Sequence, residues 1–303
     1  MKTQKTPDLG RGFSFGLSAY LIWGSFPLVI SLLSFASPFE VVAWRIIFGF
    51  VVAAALIAFT RAGRDLLPVL RQPKLLGWLI VSTVFIMVNW QVYVIAVANH
   101  QIVESSLGYF INPLVTILLA VFFLKEKLRP LQWVAVSFGA IAVIVLSFDY
   151  GRLPWLALLL AGSFAIYGLA KNKLGGKVSA INSFAIESGL LLPVAALQLV
   201  LISTTPVGIT FGQIGFWGSA GFMLFGLLTA VPLIFFGIAA KHLPLSYVGF
   251  LQYLTPIMQF GLALLVFHEP MPAARWLGFG LVWLGLATLT VDMVKRTKSL
   301  KTA

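Results

Sequence analysis

Residues 124–130 read LKEKLRP, and this charged heptapeptide separates two long apolar blocks, Glu104 to Leu124 and Leu131 to Phe148. A helix needs about 20 mainly apolar residues to cross the roughly 30 Å hydrocarbon layer of a bilayer. Both blocks are close to that length. The heptapeptide is therefore predicted to connect two membrane-spanning helices.

Eight further apolar blocks of similar length occupy the rest of the chain. All ten together predict an all-α polytopic membrane protein with ten transmembrane helices joined by short connections. The first block follows a basic start, but it is too long for a signal peptide and lacks a small-residue cleavage site, so an uncleaved helix is predicted. The eight blocks are Phe13 to Leu33, Phe39 to Phe59, Gly77 to Val97, Leu153 to Ala170, Ile181 to Ile202, Ile214 to Ala239, Leu245 to Phe267 and Ala274 to Val294.

The composition agrees with a membrane protein and excludes several kinds of site. Of the 303 residues, 60% are hydrophobic and 10% are charged, and the mean hydropathy is +0.99. A soluble domain carries about 25% charged residues. The absence of cysteine excludes disulfides, thiolate metal sites and cysteine nucleophiles. The three histidines lie at block ends without ligand spacing, so neither a metal site nor a cofactor is predicted.

The net charge of +12 is distributed unevenly between the two predicted membrane faces. Ten helices put both termini on one face, and that face collects 18 of the Lys and Arg residues, whereas the opposite face has Arg152 alone. Basic residues favour the cytoplasmic face, so both termini are predicted to be cytoplasmic. The basic residues lie between apolar blocks and form no stripe, which argues against a nucleic-acid partner.

The heptapeptide has a counterpart, FHEPMPA, at residues 267–273. Two five-helix units are therefore predicted, residues 1–150 and residues 151–303. Five is odd, so the second unit enters the membrane in the opposite direction, which explains why FHEPMPA keeps the Glu but lacks Lys and Arg. Inverted repeats are characteristic of secondary transporters, which bind solute near mid-membrane. Three matching pairs share one spacing in the sequence, Pro113 and Pro256, Glu126 and Glu269, and Trp133 and Trp276, and LIWG (21–24) precedes AIYG (165–168) at nearly the same spacing.

Four segments combine polar and aromatic residues: SAYLIWG (18–24), NWQVY (89–93), ESSLGYFINPL (104–114) and FLQYLTP (250–256). These segments resemble the RarD-type proteins of the EamA group, in the drug/metabolite transporter superfamily. The resemblance implies two inverted five-helix repeats and a central cavity lined by helices 1, 3, 4, 6, 8 and 9. It also implies solute permeation across a bacterial inner membrane without ATP. RarD-type proteins are commonly labelled chloramphenicol-sensitivity proteins, which does not settle the substrate.

Polar and aromatic side chains on predicted helices 3 and 4 form a candidate solute-binding patch. Asn89, Trp90 and Tyr93 share one helical face, and Tyr109 and Asn112 fall at similar depth on the next helix. The alternative is that the Asn side chains form interhelical hydrogen bonds and the aromatic rings lie at the membrane interface. Weaker candidates, for which helix packing is an equal or better alternative, are Tyr20, Trp23, Tyr167, Gln252, Tyr253 and Gln259.

Two ionisable residues fall inside predicted spans, Arg45 in helix 2 and Glu187 in helix 7. Arg45 lies six residues from the outer membrane boundary, and Glu187 lies six residues from the inner boundary. Because they are at different depths, two separate sites are predicted. Intramembrane charges are functional candidates by default. Snorkelling of Arg45 towards the surface is the alternative for that residue, and proton coupling is a hypothesis for Glu187.

Two other functional classes are alternatives to a transporter. The segment GFSFG (12–16) matches a nucleophile pattern, but it opens a membrane helix and lacks a nearby His and acid, so no catalytic residue is predicted. A channel is disfavoured because there are no charged pore rings. The expected partners are a small-molecule substrate and the lipid bilayer. Small residues on helices 5 and 10 indicate close packing and leave a homodimer open; they are Ala135, Gly139, Gly278 and Gly285.

Overall fold

A computed structural model describes residues 9–60, 62–125, 127–174, 177–243 and 251–302. This part of the chain is helical and contains no strand. The α-helices are α1 (Leu9–Gly24), α2 (Phe26–Ser31), α3 (Pro38–Thr60), α4 (Leu66–Leu70), α5 (Pro73–Ala98), α6 (Ile102–Leu124), α7 (Pro130–Tyr150), α8 (Trp155–Leu174), α9 (Ala180–Ser203), α10 (Gly215–His242), α11 (Leu254–Leu265) and α12 (Ala273–Thr302).

Nine segments within the described residues are long and apolar enough to span a membrane, with α1 and α2 taken together. They correspond to nine of the ten predicted blocks. The remaining block, Leu245 to Phe267, is represented by the 12-residue helix α11, and residues 244–250 lie outside the described residues. The all-α polytopic architecture is confirmed, and the tenth span stays a prediction.

The first predicted span, Phe13 to Leu33, is interrupted in the structure. Helix α1 ends at Gly24, and α2 begins at Phe26 with Pro27 in its first turn. Proline has no N–H to donate within a helix, and it restricts the residue before it, so a break at this point is favoured. The hydroxyl of Ser25 donates to the carbonyl of Ile22 at 2.8 Å, which satisfies one of the carbonyls at the end of α1.

Proline and glycine also mark several other helix ends. Helices α3, α5 and α7 each begin at a proline, whose missing N–H costs nothing in a first turn. Helix α7 is capped by Gly151, which has a φ of 62° and adopts the left-handed conformation that glycine accepts without a Cβ clash.

The most extensive helix contacts join the first half of the chain to the second. Helices α1, α3, α5, α6 and α7 can be matched in order to α8, α9, α10, α11 and α12. When the halves are exchanged, the pairing of α5 with α8 becomes that of α10 with α1, and the pairing of α6 with α8 becomes that of α11 with α1. The pairs α3 with α9 and α7 with α12 map onto themselves. Helices α7 and α12 begin at Pro130 and Ala273, the same spacing that separates Trp133 from Trp276.

Small residues allow two of these pairs to approach closely. A Cβ on Gly278 of α12 would lie 2.5 Å from Leu146 Cγ of α7, and one on Gly285 would lie 3.0 Å from the Ala135 carbonyl oxygen. Of the small residues on predicted helices 5 and 10, Ala135 and Gly285 therefore pack against each other within one chain, whereas Gly139 faces Leu114 of α6. Similarly, a Cβ on Gly108 of α6 would lie 2.7 Å from the Ala157 carbonyl oxygen of α8.

Candidate functional site

A row of aromatic side chains links α5, α6 and α8. The rings of Tyr93 and Tyr109 have centroids 5.8 Å apart and meet edge to face. Tyr109 in turn contacts Phe164 at 6.0 Å, and Phe164 contacts Tyr167 at 5.8 Å. The first two contacts are edge to face, which is favourable because the positive ring edge meets the negative ring face, and the third is tilted at 35°. The predicted residues Tyr93, Tyr109 and Tyr167 thus belong to one continuous cluster.

Asn89 and Asn112 tie this cluster to α8. The Asn89 amide nitrogen donates to the Leu160 carbonyl and to the Ser163 hydroxyl, both at 3.2 Å, while its oxygen accepts from the Tyr109 hydroxyl at 3.1 Å. The Asn112 amide nitrogen donates to the Ala161 carbonyl at 3.0 Å. Both amides therefore form the interhelical bonds that are the alternative to facing a solute.

Arg45 is enclosed between α3, α5 and α10 and remains only 4% exposed. Its Nε donates to the Thr229 hydroxyl at 2.9 Å. The guanidinium carbon lies 4.2 Å from the ring centroid of Trp90, with Phe225 at 4.8 Å and Phe26 at 5.3 Å. The alternative that Arg45 snorkels to the surface is wrong, because neighbouring aromatic faces hold the cation inside the bundle.

Glu187 lies elsewhere and has a basic partner that the sequence analysis missed. It is 3% exposed, and its Oε1 accepts from Lys171 Nζ at 2.5 Å, the Ser82 hydroxyl at 2.6 Å and the Ser183 hydroxyl at 3.3 Å. Lys171 also lies over the Tyr167 ring at 5.1 Å. The one sign of this pairing in the sequence is the position of Lys171 in the last turn of the helix that precedes α9. Arg45 and Glu187 bond to different partners, as two separate sites require.

Tyr20 and Trp23 form a matching aromatic group in the other half of the bundle. Their ring centroids are 5.4 Å apart, and both contact Phe236 of α10. The Gln259 amide donates to the Trp23 carbonyl at 3.3 Å. Gln252 is exposed, whereas Tyr253 is half-buried and packs against the main hydrophobic core, to which Tyr93 belongs. Gln259 thus performs the packing role given as its alternative.

Buried carboxylates at the ends of helices cap other segments, a feature absent from the sequence predictions. Glu104 binds both Nη atoms of Arg152, at 3.2 and 2.7 Å, and accepts the Leu156 N–H at 3.3 Å. The hydrogen bonding with Glu104 raises the pKa of Arg152. Glu40 accepts the N–H groups of Thr210 and Phe211, both at 2.9 Å.

Glu269, predicted to lie beyond helix 9, caps the first turn of α6. It accepts the N–H groups of Ile102 at 2.6 Å and Val103 at 2.8 Å, two of the donors left free at a helix start. Burial raises the pKa of Glu269, and these N–H bonds oppose the shift. Its counterpart in the repeat, Glu126, lies outside the described residues.

A cavity of about 50 Å³ lies between α2, α3 and α5. Val41, Val94 and Val97 contribute to its wall, together with Pro38 and His100. A drug-sized site usually occupies about 300 to 1,000 Å³, so this cavity is too small for a drug-sized solute in the present conformation.

No group of three His, Cys, Asp or Glu residues suited to a metal occurs in the described residues. Ser14, the central residue of GFSFG, donates to the Gly10 carbonyl of its own helix at 3.0 Å. It thus behaves as an ordinary helix serine.

Known proteins are similar to this chain along nearly its whole length. The model of the EamA-like transporter family matches residues 10–148. Protein RarD of Streptomyces exfoliatus is 44% identical over 95% of this chain and 90% of its own. Protein RarD of Salmonella typhimurium is 38% identical over 94% of this chain and 96% of its own, and the uncharacterized transporter YojE of Bacillus subtilis is 38% identical over 96% and 97%.

A solved structure with 20% sequence identity covers 94% of this chain and 98% of its own with a TM-score of 0.59, which shows a shared fold. The nine apolar spans of the described residues and the relatives named as transporters agree with one another. The chain is a multi-pass membrane transporter that belongs to the EamA-like family and to its RarD-type proteins.

Proposed function

We propose that the protein is a secondary transporter that moves a small organic solute across the bacterial inner membrane by alternating access between two inverted five-helix repeats. The observation that carries the proposal is the helix pairing, which is unchanged when the two halves are exchanged. A transporter made of two equivalent, interlocked halves can open to either side by rocking one repeat against the other.

Residue-level correspondences support the same proposal. At the spacing that relates LIWG to AIYG, Tyr20 and Trp23 correspond to Phe164 and Tyr167, and both pairs form ring contacts, at 5.4 and 5.8 Å. At the spacing that relates Pro113 to Pro256, Asn112 corresponds to Thr255. The Asn112 side chain binds a carbonyl of α8, and the Thr255 side chain binds the Tyr20 carbonyl of α1 at 3.0 Å. The two halves thus use equivalent positions for equivalent contacts.

The solute is proposed to bind against Trp90 and the aromatic cluster that contains Tyr93 and Tyr109. Aromatic faces cover an apolar or aromatic body, and nearby polar groups bind its polar end. The preferred class is therefore an uncharged or zwitterionic molecule with an apolar portion. A strong anion would need several convergent cations, and Arg45 is the one buried beside this cluster in the described part of the chain.

The direct test is a flux screen with purified protein in proteoliposomes, using amino acids, aromatic metabolites and amphenicols. Saturable counterflow of one class, without ATP, is expected. Flux that does not saturate with solute concentration would favour the channel alternative, and chemical conversion of a solute would favour an enzyme.

Trp90→Ala and Tyr93→Ala should each weaken the affinity for the transported solute by about 1 to 3 kcal/mol, the usual cost of losing a central aromatic contact. Trp217, which is 84% exposed, provides the control Trp217→Ala, for which no change is expected. The apparent affinity is read from counterflow at varied solute concentration. Unaltered affinity in both cluster variants, at normal membrane insertion, would restrict Trp90 and Tyr93 to helix packing.

The inverted topology predicts a labelling pattern in intact cells. Because the native chain has no cysteine, single cysteines can be introduced at Ser37, Ser203, Met271 and Thr60 without further changes. A membrane-impermeant maleimide is expected to label the first three positions from outside and to leave Thr60→Cys unlabelled until the cells are opened. Labelling of Thr60→Cys together with protection of Ser203→Cys would reverse the orientation of the termini.

A further inference from the structure

Arg45 has an unusual set of contacts for a buried cation. The side chain is 4% exposed, and its one hydrogen bond within the described residues runs from Nε to Thr229. The four N–H groups of the two Nη atoms have no hydrogen-bond acceptor in the part of the chain that the structure describes. N–H groups of a buried side chain that have no acceptor in the protein are available to an acceptor supplied by a ligand.

The surrounding rings do not replace that acceptor. Trp90, Phe225 and Phe26 present their faces to the cation at 4.2 to 5.3 Å. Cation–π attraction acts through the ring face and compensates part of the buried charge. The N–H groups point outwards in the plane of the guanidinium, and it is these edges that lack partners. A planar guanidinium edge matches the two oxygens of a carboxylate.

A second unpaired donor belongs to the same region. The Tyr93 hydroxyl is fully enclosed and has no hydrogen-bond partner within the described residues, and its side chain is 3% exposed. Tyr93 lies three residues after Trp90 on α5, so it shares the helix face that contacts Arg45. The Tyr109 hydroxyl already donates to Asn89, so Tyr93 is the hydroxyl left to bind a further group.

No acidic side chain of the described residues neutralises Arg45. The four ion pairs there join Arg129 to Asp292, Arg152 to Glu104, Lys171 to Glu187 and Arg275 to Asp149. The Arg45 guanidinium carries one positive charge without an acidic partner, and the Tyr93 hydroxyl offers one hydrogen bond. This combination suits a ligand group with a single negative charge. A phosphate or a dicarboxylate would leave a second charge without a partner.

The small cavity lies next to this position along the helices. Val41 lies one helical turn from Arg45 along α3, and Val94 lies one turn from Trp90 along α5; both line the cavity, whereas Arg45 and Trp90 do not.

We propose, on the basis of the transport function given above, that the Arg45 guanidinium edge and the Tyr93 hydroxyl bind a single carboxylate of the transported solute. The adjoining rings of Trp90 and Tyr109 cover its apolar body. The solute class is an aromatic or apolar zwitterion of the amino-acid type, and a simple monocarboxylate presents the same group to this site as a probe. Arg45 supplies the charge and Tyr93 an additional hydrogen bond.

The test compares matched probes that differ only in the carboxylate. The pairs are 3-phenylpropionate with 3-phenylpropanamide, and L-phenylalanine with L-phenylalaninamide, added at equal concentrations to the purified wild-type protein. The apparent melting temperature is expected to rise with each carboxylate and to stay unchanged with its amide. Arg45→Lys, which keeps the charge but loses the planar edge, should weaken carboxylate binding about tenfold. Arg71→Lys, at an exposed position, is the matched control and should bind as wild type.

Equal shifts for carboxylate and amide, or no shift with either carboxylate, overturn the assignment of Arg45, and this arm needs no variant to fold. Retention of the carboxylate preference by Arg45→Gln also overturns it. Counterflow in proteoliposomes separates this proposal from the transport function. A probe moved equally well by wild type and Arg45→Lys overturns only the Arg45 site, whereas carboxylate-dependent binding without flux supports the site and overturns transport.

Discussion

Replacement of Arg152 by Ala is expected to destabilise the protein more than replacement of its partner Glu104 by Gln. The Arg152 side chain is 36% exposed, so it can turn to water when it loses its partner, whereas the Glu104 side chain is 2% exposed and cannot. Arg152→Ala therefore leaves a buried carboxylate with the Leu156 N–H as its one remaining donor among the described residues. Stranding a buried charge in this way costs about 3 to 5 kcal/mol. Glu104→Gln should cost about 1 to 2 kcal/mol, since an amide still accepts hydrogen bonds.

The measurement is thermal unfolding in detergent together with SDS titration, on both single variants and the double variant. The double variant should be more stable than Arg152→Ala alone, because it no longer buries an unpaired charge. Lys173→Ala is the control, since this lysine is exposed and forms no ion pair in the described part of the chain. Equal losses in the two single variants, with additivity in the double, would contradict the argument.

The membrane fold is predictable from sequence because apolar length and repeat spacing are encoded locally. The lengths of the apolar blocks predict nine spans that the described residues contain. The spacing between Trp133 and Trp276 equals the spacing between the first residues of α7 and α12. The break at Ser25 is not predicted even though Pro27 is visible, since hydropathy alone does not distinguish a continuous span from two short helices. The caps formed by Glu40 and Glu104 are not predicted either, because each binds a segment distant in sequence.

The candidate site is predicted less completely, because a helical face says which residues are neighbours but not which helix they meet. The helical pattern places Asn89 and Tyr109 together, and they do form a hydrogen bond. The further bonds of Asn89 depend on α8, whose close approach to α6 depends on Gly108. In the sequence, Lys171 is one of the basic residues that assign the cytoplasmic face, and nothing there pairs it with Glu187. That pairing requires the packing of α8 and α9 beside α5.

Glu187→Gln should abolish accumulation driven by a pH gradient while leaving solute exchange largely intact, if transport is proton-coupled. Glu187 is enclosed, but its partner Lys171 has a side chain that is 29% exposed, so the pair connects a buried carboxylate to the end of the bundle where α8 terminates. In a proton-coupled cycle, Glu187 is the residue that we propose to carry the proton. Gln keeps the shape and the hydrogen bonds to Ser82 and Ser183 but carries no proton, so uphill movement loses its driving force.

Proteoliposomes with an imposed pH gradient and a solute from the flux screen measure accumulation, and the same vesicles without a gradient measure exchange. In Glu187→Gln, accumulation is expected to fall to the level reached without a gradient. Ser82→Ala is the matched control, because it removes one hydrogen bond to the same oxygen but no proton site, and it should retain accumulation. A parallel loss of accumulation and exchange in Glu187→Gln, with a lowered melting temperature, would assign Glu187 to stability. Undiminished pH-driven accumulation would remove Glu187 from coupling, because a residue that carries the transported proton cannot be replaced by one that does not ionise.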